Sequence, residues 1–325
     1  MRSNPAPHRP PIPPVLGIGL GVLAASTASI FIRFAQQHAH SLVIAAYRLT
    51  LASLILAPFL LAREQAALRQ LKREDMARLL GSGLLLALHF ATWITSLAFT
   101  SVASSVVLVS MAPLFVAVLS PMLLRESPTR EIKIGLVLAL AGTVMVGLGD
   151  ACTTASGLAC PPLDQFVRGQ ALQGDLLALA GALAGAGYMI IGRRVRGHIA
   201  LLPYIGVVYS MAAVTLVAIA ASFGLPFFGY SPAAYGWFLL LALIPQLIAH
   251  SSINWALRYL TAAFVSITLL GEPLASSVWA YLLLDERPSA LTIAGGVMIL
   301  GGILIASRRP APQEAAAVAE PGREA

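Results

Sequence analysis

Glu272 stands about eleven residues into an apolar run and is followed at once by Pro273. An ionisable side chain in hydrocarbon is costly unless it faces a cavity or a partner, so its presence needs a reason. The proline removes the amide that would have bonded the carbonyl of Leu269, which strains that turn and opens backbone acceptors at the same depth. A carboxyl so placed can exchange a proton or bind a polar substrate; its other reading is a helix-packing carboxyl, neutral or paired. The other ionisable groups to weigh are Arg48, His89 and His250.

His89 and Trp93 are four residues apart, as are His250 and Asn254, so each pair shares a helix face. One pair falls in each half of the chain, and together they can form two polar walls of a substrate site. Alternatively each histidine bonds a neighbouring helix. Arg48 has two placements open to it: its head snorkels to the interface, or it faces a cavity and attracts an anionic group such as a carboxylate. The hydroxyls of Ser104, Ser105, Ser110, Ser266 and Thr268 read as contacts between helices. No Gly-x4-Gly-Lys-Ser/Thr loop is present, so primary pumping within this chain is excluded. His and carboxylate spacing suggests no metal site, and no cofactor is expected.

Elements that could hold these groups follow from composition. Of 325 residues 58% are apolar and 11% charged, against about 45–50% and 25% in soluble domains. Mean hydropathy is +0.82. The reading is an all-α polytopic membrane protein. Runs of about 18–22 apolar residues suit a bilayer core of about 30 Å, and ten are expected: 15–35, 41–62, 79–99, 102–124, 132–149, 174–192, 203–223, 235–256, 261–284 and 290–307. Residues 1–14 and 308–325 read as disordered tails, and 150–173 as an extracytoplasmic loop. The run from Val15 is expected to be a retained first span rather than a signal peptide, since it lacks a convincing small-residue cleavage site. Cys152 and Cys160 share that loop, either as a small disulfide if that side is oxidising or as two free thiols.

Residues 90–144 and 250–304 carry one pattern twice at an offset of 160. Ala112-Pro113-Leu114 answers Glu272-Pro273-Leu274, and Leu123-Leu124-Arg125-Glu126-Ser127-Pro128 answers Leu283-Leu284-Asp285-Glu286-Arg287-Pro288. Gly135 and Gly142 answer Gly295 and Gly302. Prolines and glycines are costly inside helices, so their recurrence marks a duplication. The paired prolines predict a kink in each half, with the carboxyl kept in only one.

With the N-terminus in the cytoplasm, all but four of the 21 Lys and Arg fall inside; Arg33, Arg168 and Arg287 fall outside and Arg48 within the membrane. Each half, 15–149 and 174–307, then holds five spans, so the second enters from the opposite side as an inverted repeat. The net charge of +7 sits in short loops, which excludes a nucleic-acid partner. Gly135, Gly142 and the pairs Gly295-Gly296 and Gly301-Gly302 let the fifth and tenth helices approach neighbours closely, for packing or as a homodimer face.

Glu272-Pro273-Leu274, the Leu282–Pro288 segment, the glycine-rich last helix and Gly174-Asp175-Leu176-Leu177-Ala178-Leu179 together resemble the second EamA domain of the drug/metabolite transporter superfamily. His89 to Arg125, with Trp93, Pro113 and Leu123-Leu124, resembles the first. The resemblance implies a ten-helix carrier with both termini cytoplasmic and a central cavity, exporting or exchanging small metabolites such as amino acids. It departs at Gly185, where such proteins often carry tryptophan, and at Ala112, which leaves the first half without a Glu-Pro pair. The expected function is a secondary transporter in a bacterial-type inner membrane, working by alternating access. Arg48, His89, Trp93, His250 and Asn254 are expected to bind its small-molecule substrate, Glu272 to couple protons, and Pro113 and Pro273 to kink helices. The rival is a membrane-embedded enzyme using His89, His250 and Glu272; these fall on three separate helices with no nucleophile motif, so an enzyme is not expected.

Overall fold

The structure is a computed structural model and describes residues 12–100, 102–151, 170–284 and 289–308. Cys152, Cys160, Arg168 and Arg287 lie outside the described residues. Within those residues the chain is helical, with no strand. Backbone groups in hydrocarbon must be satisfied inside their own segment, and a helix does this along its whole length.

In order the helices are α1 (Pro14–Ala25), α2 (Ala28–Gln36), α3 (Ser41–Arg63), α4 (Gln65–Arg69), α5 (Arg73–Ser96), α6 (Val102–Val109), α7 (Ala112–Leu123), α8 (Arg130–Ala151), α9 (Gln170–Arg196), α10 (Leu201–Ser222) and α11 (Pro232–Leu241). A π-helical stretch, Ala242–His250, then leads to α12 (Ser251–Ala256), α13 (Ala262–Thr268), α14 (Gly271–Leu284) and α15 (Ala290–Ser307). Several starts are capped by side chains. His40 accepts from the Leu42 amide, Ser231 from Ala234, Thr261 from Phe264 and Ser289 from Thr292.

Seven stretches among the described residues are long and apolar enough to cross a membrane: Pro14–Gln36, Ser41–Arg63, Arg73–Ser96, Ser105–Leu123, Leu172–Arg196, Leu201–Ser222 and Pro232–Ala256. Two shorter apolar helices are Ala262–Ser276 and Ala290–Ala306. Several helices outrun the apolar runs that announce them. Arg73 opens α5 ahead of Leu79, because Glu74 and Asp75 in its first turn suit the positive helix end.

At the kinks expected of Pro113 and Pro273 the helical ladder is interrupted for two residues, between α6 and α7 and between α13 and α14. Each proline lies in the first turn of the new helix, where its missing amide leaves no ladder bond unmade. Leu269 corrects the expectation of an open acceptor: its carbonyl takes the Glu272 amide at 2.9 Å in a tight turn. A third break, at Ser26-Thr27, has no proline. There the hydroxyls of Ser26 and Thr27 donate back to Leu23 and Ala24 carbonyls at 2.8 and 2.9 Å, competing with the helical ladder. Helix α14 braces this break, Ser276 donating to the Ser26 carbonyl and the Trp279 indole to the Ser26 hydroxyl.

Glycines set the contact between α8 and α15. A Cβ placed on Gly142 would lie 2.5 Å from the carbonyl oxygen of Gly295, and one on Gly302 would lie 2.5 Å from that of Gly135. Numbers rise along one helix as they fall along the other, so the two cross antiparallel. Of the two uses read from the glycine spacing, packing within the chain is the one this contact displays.

Candidate functional site

All four helix irregularities open on one cavity of about 100 Å³. Ala25 and Ala28 flank the first break, Ser110 and Pro113 belong to the second, Pro245 and His250 to the π-helical stretch, and Leu269, Leu270 and Glu272 to the last. Broken helices are tolerated at membrane depth where they line a cavity, because the freed backbone groups need polar company.

The structure brings Arg48, His89, Trp93, His250, Glu272 and Pro113 to this cavity. Asn254 is not among its lining residues. It is fully buried and donates to the Tyr188 hydroxyl and, at 2.7 Å, to the His250 carbonyl, so it stands behind the wall and holds it. Pro273 is buried one residue beyond Glu272 and also stands off the lining.

Arg48 does not snorkel. It has no exposed surface, its Nε donates to Gln246 Oε1 at 2.9 Å, and its guanidinium lies 4.1 Å from the centre of the Phe90 ring. His250 meets Phe90 edge-on at 5.1 Å. One terminal nitrogen of Arg48, Nη1, has no hydrogen-bond partner in the structure, nor have His250 Nδ1 and Trp93 Nε1. None of the ion pairs among the described residues joins Arg48 to Glu272.

His89 stacks on Trp93, with ring centres 5.8 Å apart and planes 24° off parallel. Its Nδ1 lies 2.9 Å from the Gly181 carbonyl. A carbonyl only accepts, so the neutral imidazole carries its proton there and presents Nε2 as an acceptor. Gly185 admits this arrangement: a Cβ at that position would lie 2.9 Å from His89 Nδ1. The glycine that departs from the family pattern is therefore what seats the histidine.

Gln246, Phe90, Tyr188 and Tyr209 were not singled out from the sequence. Gln246, His250 and Asn254 recur at four-residue steps in a run whose other polar residues are Ser251 and Ser252, and Gln246 follows Pro245; that stripe was the available signal. Tyr209 connects it, its hydroxyl 3.3 Å from Ser251 Oγ and 3.5 Å from the Gln246 carbonyl. Among the described residues no three His, Cys, Asp or Glu side chains gather as a metal-ligand set.

One end of the cavity is fastened by the basic end of α9. Arg193 lies four residues, roughly 6 Å, beyond the lining residue Met189 on the same face. Its Nε pairs with Glu126 at 2.7 Å, and its Nη1 donates to the Leu257 carbonyl at 3.1 Å. One largely buried guanidinium thus ties α9 to the segment after α7 and to the end of α12. Arg193→Ala is expected to destabilise by about 1–2 kcal/mol, because it leaves the half-buried Glu126 carboxyl and the Leu257 carbonyl without their donor. Arg194 reaches the Leu123 carbonyl at 3.4 Å from an exposed position, and Arg194→Ala is expected to change stability by less than about 0.5 kcal/mol. Melting temperatures of the two purified variants check this, and equal losses would contradict it.

Comparison with known proteins adds the following. The profile of the EamA-like transporter family matches residues 13–148 and again 172–308. The pseudopaline exporter CntI of Pseudomonas aeruginosa is 26% identical over 298 residues, covering 90% of this chain and 96% of that protein. The uncharacterized transporter YdfC of Bacillus subtilis is 22% identical over 264 residues, covering 80% and 79%. A solved crystal structure superposes with a TM-score of 0.73 at 18% identity, covering 90% of this chain and 96% of that one, which shows a shared fold.

Proposed function

From the premise that this chain belongs to the EamA-like transporter family, we propose that it is a secondary transporter exporting small polar or amphipathic metabolites, such as amino acids and related compounds, across the inner membrane. Its architecture in this reading is ten transmembrane helices in two inverted five-helix repeats, with both termini cytoplasmic. The α8–α15 contact supports the inversion. Gly135 and Gly142 correspond to Gly295 and Gly302 in the repeat, yet Gly135 meets Gly302 and Gly142 meets Gly295. Such reciprocal crossing is what a two-fold axis between the helices produces.

The observation that carries the function is the convergence of Arg48, His89, Trp93, His250 and Glu272 on a cavity walled by broken helices. In this reading Arg48, His89, Trp93 and His250 contact substrate, Asn254 positions His250 and Tyr188, and Glu272 exchanges a proton as the cavity opens to each side. Export as the direction is supported by the name of the CntI relative. Transport moves the barrier from one end of the cavity to the other, and the short helix segments beside the breaks are the parts that can rotate with little loss of internal hydrogen bonding.

The test compares metabolites released by cells with and without the gene, then reconstitutes the purified protein in liposomes with the compounds that differ. Protein-dependent flux that accelerates under an imposed pH gradient is expected. No protein-dependent flux of any released compound would sink the reading.

A further inference from the structure

Building on the transport reading, we infer that the substrate carries a single carboxylate on a compact apolar body, and that Arg48 with the Trp93 indole is the subsite that recognises the carboxylate. Arg48 Nη1 and Trp93 Nε1 are donors that can never accept, both belong to residues lining the cavity, and neither has a partner in the structure. Buried donors left unmatched are costly, so a ligand that satisfies them is held by that cost. What they lack is an acceptor.

The charge on that acceptor follows from the surroundings of Arg48. The guanidinium is fully buried, its Nε engages the neutral Gln246 amide rather than a carboxylate, and its flat face rests on Phe90. A buried cation whose hydrogen bond goes to a neutral amide and whose face meets a ring gains from an anion at Nη1. Among the described residues Arg48 is the one Lys or Arg and Glu272 the one Asp or Glu lining the cavity, so with Glu272 protonated one negative charge matches Arg48 and a phosphate dianion does not. Ala25, Ala28, Val109, Ile253 and Leu270 supply apolar stretches of the wall, which suit an apolar body. His250 Nδ1, also unpartnered, can serve the same oxygen atoms as a third donor.

The experiment titrates the full-length protein in lipid nanodiscs with a matched panel: short branched and aromatic carboxylic acids, hydrophobic amino acids, and the methyl ester and primary amide of each. Binding is measured by calorimetry. At least one family in the panel is expected to bind its carboxylate form about tenfold or more tightly than its ester and amide. Arg48→Gln is expected to erase that ratio. Trp93→Phe, which keeps the ring and removes the indole donor, is expected to weaken the carboxylate about tenfold and to leave ester and amide unchanged. Esters and amides binding as well as carboxylates, a ratio that survives in Trp93→Phe, or no binding by any member would overturn the assignment; the Trp93→Phe arm stands even if Arg48→Gln fails to fold. Flux measured on the same panel separates the two proposals. Carboxylate-selective binding without flux would contradict transport and leave this subsite standing, whereas flux of uncharged solutes alone would do the reverse.

Discussion

Glu272→Gln is expected to abolish accumulation against a gradient while leaving downhill exchange of substrate intact. Glutamine keeps the size of the side chain and its capacity to hydrogen-bond, but it has no proton to exchange near neutral pH. A pH difference of one unit corresponds to about 1.4 kcal/mol per proton, hence tenfold in a concentration ratio. With a difference of two units and one proton per substrate, the native protein can sustain a ratio of about 100, and the variant a ratio of one. The second repeat carries this carboxyl where the first has Ala112, so the first repeat has no Glu-Pro pair at the matching position to stand in for it. Liposomes loaded with labelled substrate, followed with and without the pH jump, measure both quantities. Uphill transport at the native ratio by Glu272→Gln would end the proton role.

The other large effect is structural and comes with a control one residue away. Gly302→Val is expected to prevent α15 from seating on α8, since even a Cβ there lies 2.5 Å from the backbone oxygen of Gly135. Backbone cannot swing aside as a side chain can, so the helices must part along their contact. A loss of at least about 3 kcal/mol follows, seen as a collapse in monodisperse protein and a large fall in melting temperature. Gly301→Ala should be tolerated: its Cβ would meet Leu138 Cδ2 at 3.5 Å, an ordinary contact. If the two substitutions behave alike, the antiparallel glycine contact is misplaced.

Much of the cavity was legible in the sequence because membranes make polar letters conspicuous. Arg48, His89, His250 and Glu272 stood out against apolar runs, and the structure places all four on one cavity. The prolines announced two of the interruptions, since the missing amide is a property of the residue itself. Ser26-Thr27 and the π-helical stretch were not announced. Serine and threonine occur within helices as often as at their breaks, and a π-helical stretch depends on how the whole rod packs. Asn254, four residues after His250, bonds the His250 carbonyl at the junction where the π-helical stretch ends and does not itself line the cavity. Gln246 and Tyr188 acquire meaning only when helices from distant parts of the chain meet. The arginines of α9 were read for orientation alone, while Arg193 and Arg196 bond carbonyls of the α12 region. Charge counting sees which side a residue is on, not what it holds.

The account stands on the cavity being a path that opens to each side of the membrane in turn. Ser110 lies at the break between α6 and α7 and lines that cavity, so a thiol placed there reports access directly. With Cys152 and Cys160 first replaced by serine, Ser110→Cys should react with a membrane-impermeant thiol reagent in right-side-out vesicles and also in inside-out vesicles, and bound substrate should slow both reactions. Reaction from one side only, or from neither, would contradict the account.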